Sequence, residues 1–443
     1  MNIMIPISEA KRIIGLGGLD ERLGQLYGKP NVEDQRSRYL SIVAEFERRF
    51  SNERSIVIVS APGRTELGGN HTDHNNGRVL AGSVHLDTIV AASPRNDTAT
   101  TLWSDGWDTP FIVDLKTLDP ISDEEGTTSS LVRGVAAGFR GRGLSIGGFD
   151  ACMESRVLPG SGLSSSASVE IAIGSILNSL YNDRKADPVT LARVGQFAEN
   201  RYFGKPCGLM DQTACAYGGI IAIDFADPEK PVIEQVTYSF EAAGYALVVV
   251  DTGGNHADLT ADYASIPAEM GAVAHELGAG VLRSTDRAQV VSEAASLRKN
   301  TGDRAILRAL HYFADNERVT LQIGALRSDN IERYLHLVRK SGSSSWRLLQ
   351  NCFTVKNPQE QGISLAIALT EHFLDGSLPG SQEDPDVRVH GASRVHGGGF
   401  AGTIQAYVPL SRADSYVASM ESVFGRGCVT RLSIREEGAV EIL

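Results

Sequence analysis

A chain of 443 residues, 42% hydrophobic and 22% charged, has the composition of a folded globular protein and exceeds the size at which one core keeps growing, so two domains with a cleft between them are expected. Its 42 Lys and Arg against 54 Asp and Glu give a formal charge of −12 with no basic block, which argues against nucleic acid and anionic membranes as partners. Five scattered cysteines without a Cys-x-x-Cys pair predict reduced thiols and a cytoplasmic location, and the short apolar start before Pro6 has the form of neither a signal peptide nor a membrane span.

In chain order, Tyr39, Ile42, Val43, Phe46 and Phe50 recur at helical spacing and predict a helix from about Val32 to Phe50. Ser55 to Ser60 is rich in β-branched residues and stops at Ala61-Pro-Gly-Arg64, a strand feeding a turn. A second strand is expected over Asp87 to Ser93, and the acidic Ser/Thr-rich stretch Ser122 to Ser130 reads as a mobile surface loop. Helices follow after Ser164, with Val169, Ile173, Ile176 and Leu180 on one stripe, and over Leu191 to Tyr202. Tyr245 to Asp251 is a strand, followed by a long helical region to about Leu374, a Gly/Pro/Asp-rich loop from Gly376 to Asp386 and a late strand at Thr403 to Val408. The class is α+β in two lobes: an N-terminal helical extension over 1–54, a first domain over 55–224 and a second over 225–443.

The segment Pro159-Gly160-Ser161-Gly162-Leu163-Ser164-Ser165-Ser166-Ala167 sets small residues directly before an amphipathic helix, where backbone amides and the helix N-terminus can face an anion. It contains no lysine and no Gly-x-x-x-x-Gly-Lys-Ser/Thr, so it is not a Walker A loop, and it lacks the Gly-x-Ser-x-Gly of a hydrolase. Taken by itself, the string reads equally as a Ser-rich helix cap after a flexible turn.

Four motifs in order carry a resemblance. The loop resembles Pro-x-x-x-Gly-Leu-Ser-Ser-Ser-Ala, with only two residues between Pro159 and Gly162. Ala61-Pro-Gly-Arg-Thr-Glu-Leu-Gly-Gly-Asn-His-Thr-Asp-His74 resembles Pro-Gly-Arg-Val-Asn-Leu-Ile-Gly-Glu-His-Thr-Asp-Tyr, and the stretch ending Cys207-Gly-Leu-Met-Asp-Gln212 resembles one ending Cys-Gly-Ile-Met-Asp-Gln. Arg394-Val-His-Gly-Gly-Gly-Phe-Ala-Gly402 is similar to Arg-Met-Thr-Gly-Gly-Gly-Phe-Gly-Gly. All four belong to the galactokinase branch of the superfamily that also holds homoserine, mevalonate and phosphomevalonate kinases.

The resemblance implies a two-lobed kinase fold with the active site between the lobes, ATP and Mg²⁺ as cofactors, and galactose as the sugar phosphorylated at its anomeric hydroxyl. It implies Asp211 as the base and Arg64 as the group that stabilises charge. The same two residues also read as an ordinary buried ion pair. Asn70, His71, Asp73, Gly208 and Tyr263 match sugar-contacting positions, the loop from Pro159 to Ala167 with Gly398 and Gly399 matches the ATP site, and Ser166 and Glu199 match the metal ligands. Asn70 replaces the family glutamate at the sugar 6-hydroxyl, which brings 1-kinases for galacturonate, N-acetylgalactosamine or arabinose into consideration, beside a non-catalytic sugar and ATP sensor. His396, where the family has Thr, adds a titratable group expected near the phosphates.

Overall fold

A computed structural model of the chain describes residues 4–157, 160, 162–254, 259–375 and 390–443. Pro159, Ser161 and the Gly/Pro/Asp-rich loop over 376–386 lie outside the described residues. The N-terminal segment forms β1 (Ile5–Pro6), α1 (Ile7–Gly15), α2 (Asp20–Tyr27) and α3 (Val32–Arg49). Tyr39, Ile42, Val43 and Phe46 are buried along α3, as their spacing predicts. They pack with Ile56, Ile58, Ile89 and Ala91, so the segment covers one face of a sheet.

That sheet is the larger of two. It begins with β2 (Ser55–Gly68) and β3 (Arg78–Pro94), both much longer than the predicted strands. Pro62 does not stop β2; the ladder to β3 shifts register between Pro62 and Arg64 and again between Glu66 and Gly68, where a missing N–H is tolerated. β4 (Ala99–Ser104) and β5 (Phe111–Asp114) form a hairpin. The acidic stretch after it holds a 3₁₀ turn at Ser122–Glu124, and Thr127 accepts from the Ser130 N–H to cap α4 (Thr128–Gly141). Glu124 pairs with Arg133 at 2.7 Å, so the predicted mobile loop is in part tied down.

β6 (Phe149–Ser155) is followed by α5 (Ser165–Tyr181) and α6 (Pro188–Ala198). The helix predicted to run to Tyr202 widens at Glu199–Phe203 into a π-turn, and α7 (Met210–Tyr217) follows. β7 (Ile220–Asp224) and β8 (Val232–Val236) complete a sheet ordered β1-β2-β3-β6-β4-β5, with β7 beside β3 and β8 beyond it. Both strands flanking the expected boundary near residue 225 therefore belong to this larger sheet. Its other face packs on α4 to α7 through residues such as Val59, Val90, Val135, Ile171 and Ile176.

Among the described residues the second region holds β9 (Tyr245–Asp251), followed by α8 (Thr260–Glu276), α9 (Arg287–Ser292), α10 (Ala294–Thr301), α11 (Asp303–Arg327), α12 (Ile331–Ser344) and α13 (Gly362–Asp375). β10 (Ala392–Val395), β11 (Thr403–Pro409), α14 (Ala413–Phe424) and β12 (Val429–Leu432) close a second sheet, ordered β10-β11-β9-β12. β13 (Val440–Glu441) then returns to pair with β2. The architecture is mixed α+β, and among the described residues no helix is long and apolar enough to cross a membrane.

Candidate functional site

Arg64 lies on β2 and Asp211 in the first turn of α7, 147 residues apart in sequence. The guanidinium meets the carboxylate through two bonds, Nε to Oδ1 at 2.7 Å and Nη2 to Oδ2 at 2.8 Å, a bidentate geometry. A third nitrogen, Nη1, donates to the Gly162 carbonyl, and the Arg64 N–H donates to Leu163 O at 3.0 Å. One arginine thus fastens the Gly/Ser loop to the carboxylate. Burial alone raises the Asp211 pKa, but the adjoining Arg64 charge and its hydrogen bonds, with that of Ser164, outweigh it and hold the carboxyl below its ordinary value.

Ser164 has a left-handed backbone (φ 61°), and its hydroxyl donates to Asp211 instead of capping α5. The first-turn amides of α5, at Ser165, Ser166 and Ala167, follow a residue whose side chain makes no cap bond, which suits an anion at this helix end. Gly162 (φ +73°) sits so close to Thr403 and His396 that a Cβ would lie 2.5 Å and 2.7 Å from their side-chain atoms, so only glycine fits.

His396 is not the titratable group expected beside the phosphates. It is buried; its Nε2 accepts from the Glu66 N–H at 3.3 Å, which leaves Nδ1 to donate to Thr403 Oγ1 at 3.1 Å. Burial, then the Arg64 and Arg394 charges, push its pKa well down, so it is a neutral prop beneath Gly162.

Ser166 donates to Glu199 Oε1 at 2.7 Å, and Lys205 Nζ lies 2.9 Å from the same oxygen. Gln212 donates to Glu199 Oε2 at 2.7 Å and to Glu170 Oε2 at 3.0 Å. Glu170 Oε1 is buried without a hydrogen-bond partner, and burial together with the Glu199 charge raises the Glu170 pKa well above the carboxylate range. Among the described residues no three His, Cys, Asp or Glu side chains gather as a metal cage. A Ser hydroxyl beside one carboxylate is nonetheless the sparse oxygen set that suits Mg²⁺, which keeps waters and takes further oxygens from phosphates.

The residues expected at the sugar meet the glycine-rich segment. Asn70 Nδ2 donates to Gly397 O at 2.8 Å, His71 Nε2 to Gly398 O at 3.0 Å and Tyr263 Oη to Gly399 O at 3.1 Å, so three successive carbonyls are held. Burial, then His74, lowers the His71 pKa to about 3 and keeps the ring neutral. Asp73 faces Gly208, where a Cβ would fall 1.8 Å from its Oδ2. Asn70 is fully buried, and its amide is saturated by protein: Nδ2 also donates to Glu66 at 3.1 Å, and Oδ1 accepts from Asn351 at 2.9 Å and Ser345 at 3.3 Å. A sugar contact at Asn70 requires one of these bonds to be given up.

Glu66, Glu170, Lys205 and Arg394 join the site without being among the expected site residues, although Glu66 and Arg394 lie inside the quoted motifs. Glu66 stands where the signature has Asn, and Asn70 where it has Glu, so the carboxylate and amide have exchanged places four residues apart. Glu66 pairs with buried Arg394. The exchange was visible in the signature itself; the partner on β10 was not.

The family model described as GHMP kinases N terminal domain matches residues 130–219, and that described as Galactokinase galactose-binding signature matches 44–94. The galactokinase of Actinobacillus pleuropneumoniae serotype 3 (strain JL03) is 30% identical over 360 residues, 80% of this chain and 86% of that one. The galactokinase of Streptomyces coelicolor (strain ATCC BAA-471 / A3(2) / M145) is 30% identical over 371 residues, 83% of this chain and 88% of its own. The crystal structure of Lactococcus lactis galactokinase complexed with galactose superposes with a TM-score of 0.73 at 21% identity, covering 96% of this chain and all (100%) of that one.

Proposed function

Because the chain belongs to the galactokinase family, we propose that it transfers the γ-phosphoryl group of ATP to the anomeric hydroxyl of galactose. The observation that carries this reading is the Arg64–Asp211 pair, set beside the Gly162–Ala167 loop and the uncapped N-terminus of α5. Asp211 is the base: the sugar hydroxyl gives its proton to the carboxylate as the oxygen bonds to phosphorus and the bond to ADP breaks. Arg64 keeps Asp211 ionised and offsets charge on the transferring group.

The loop from Pro159 to Ala167, with Gly398 and Gly399, binds ATP, the N–H groups of its Gly and Ser residues serving in place of a loop lysine. Ser166 and Glu199 would hold Mg²⁺, which when bound neutralises charge on the β- and γ-phosphate oxygens. Lys205 adds a second cation; burial works against its charge, but Glu199 outweighs this and raises its pKa. Asp73, His71, Tyr263 and the Gly208 backbone orient the sugar, with Asn70 behind them. A neutral residue at 70 does not by itself favour a uronate, since its amide is already saturated by protein.

The test is ADP release with ATP, Mg²⁺ and a panel of galactose, galacturonate, N-acetylgalactosamine and arabinose. Turnover is expected with galactose, the product carrying phosphate at C1 by NMR. ATP and sugar binding without turnover on any sugar would favour a sensor instead.

A further inference from the structure

A second charged cleft lies outside the site above. About 310 Å³ in volume, it is bounded by the end of α4 at Arg142, the outer face of α6 and its π-turn at Arg193 and Arg201, and the turn at Pro228 and Glu229. Its floor is apolar, from Phe197 and Leu209. That volume is at the lower end of the range of about 300–1,000 Å³ usual for small-molecule sites.

Its charge runs against that of the chain. Three guanidinium groups line it with one carboxylate, Glu229, in a protein of net charge −12. Glu229 pairs with Arg193 at 3.6 Å, and its backbone carbonyl accepts from Arg193 Nη2, while its side chain is 86% exposed. Arg193 Nε is buried without a hydrogen-bond partner. Arg142 donates to the Gly138 carbonyl at 3.1 Å; partial desolvation and the neighbouring Arg193 charge lower its pKa, with the Glu229 carboxylate acting in the other direction. Clustered guanidiniums of this kind are relieved by an anion, and phosphate accepts from them with matching fork geometry.

The cleft also reaches toward Asp211. Gln196 lines it, and both Gln196 Nε2 and Asn200 Nδ2 donate to Cys207 O at 3.3 Å, while Asn200 Oδ1 accepts from the Cys207 N–H at 2.7 Å. Cys207 leads directly into Gly208 and Asp211. We propose that the cleft binds a phosphate-bearing small molecule at Arg142, Arg193 and Arg201, and that occupancy tightens the Cys207–Asp211 segment through Gln196 and Asn200.

The test uses the full chain, wild type and Arg142→Gln/Arg201→Gln, both side chains being solvent-facing and outside the site above. Inorganic phosphate and glucose 6-phosphate are titrated separately by calorimetry, and amide hydrogen exchange is followed over residues 204–211. Neither readout requires turnover, so the result stands apart from the kinase reading. The expected result is binding at least about tenfold weaker in the variant, with slowed exchange at 207–211 in wild type only. Binding of phosphate alone identifies the free ion as sufficient; binding only of glucose 6-phosphate assigns part of the affinity to the apolar floor; either supports the site. Equal binding by both proteins, no binding of either probe up to about 10 mM, or binding with unchanged exchange at 207–211 overturns the proposal.

Discussion

Two buried arginine–aspartate clusters use the same strands for different ends. On the face of β2 and β3 covered by the N-terminal helices, Asp87 meets Arg38 at 2.6 Å and Arg435 at 3.2 Å, and also accepts from Tyr27 and Ser60. Its side chain is 0% exposed. At the candidate site, Asp211 meets Arg64 with equally good geometry but is 22% exposed and borders the uncapped end of α5. In both, burial raises the carboxyl pKa and arginine more than reverses it. Ion-pair chemistry therefore does not separate a brace from the proposed reaction centre; access and the neighbouring uncapped helix end do.

Neutralising each aspartate in turn separates the two roles. Asp211→Asn is expected to lower kcat by about 10²–10⁴ while far-UV circular dichroism stays native. Near-wild-type turnover would return Arg64 and Asp211 to the status of a brace. Asp87→Asn should do the reverse, costing about 3–5 kcal/mol in urea unfolding because Arg38 and Arg435 lose their buried counter-charge, with kcat per folded molecule unchanged. A smaller effect is expected for Ser166→Ala, which should raise the Mg²⁺ concentration for half-maximal rate about tenfold, the low end of effects seen around metal sites. An unchanged Mg²⁺ dependence would remove Ser166 from the metal.

The smallest expected effect is on the pH profile. A carboxyl with a lowered folded pKa is ionised above that value and protonates only as pH falls through it. The acid limb of kcat/KM should thus lie below about pH 4, the ordinary carboxylate value. Stability carried by Asp87 is likewise present above its unfolded pKa and lost as pH falls through the lowered folded one. A limb near pH 6–7 would point to a base other than Asp211, and His71, with its pKa near 3, is no candidate.

Local patterns were readable where one element decides its own fate. The stripe on α3, the start of α5 after Ser164 and the late strand β11 follow from periodicity and small-residue punctuation. Pro62 and Gly63 are turn residues by local chemistry and so shorten the predicted strand, whereas long antiparallel pairing with β3 carries β2 past them with a register shift. The end of α6 is hidden from local pattern for a similar reason. Its π-turn is backed by contacts far away in sequence, among them Glu199 with Ser166 and Tyr202 Oη with Leu118 O at 2.7 Å.

Linear patterns reveal which side chains are available: a lysine-free Gly/Ser loop, an arginine and an aspartate in ordered motifs, and a glycine-rich segment near the end. Folding sets which of two Arg–Asp clusters borders the Gly/Ser loop, saturates the Asn70 amide with protein partners and makes His396 a neutral prop. The reason is physical. Exposure, hydrogen-bond saturation and the balance of burial against charge are set by groups from distant parts of the chain, such as Asn70 with Asn351 and Glu66 with Arg394, and a linear pattern carries no record of them.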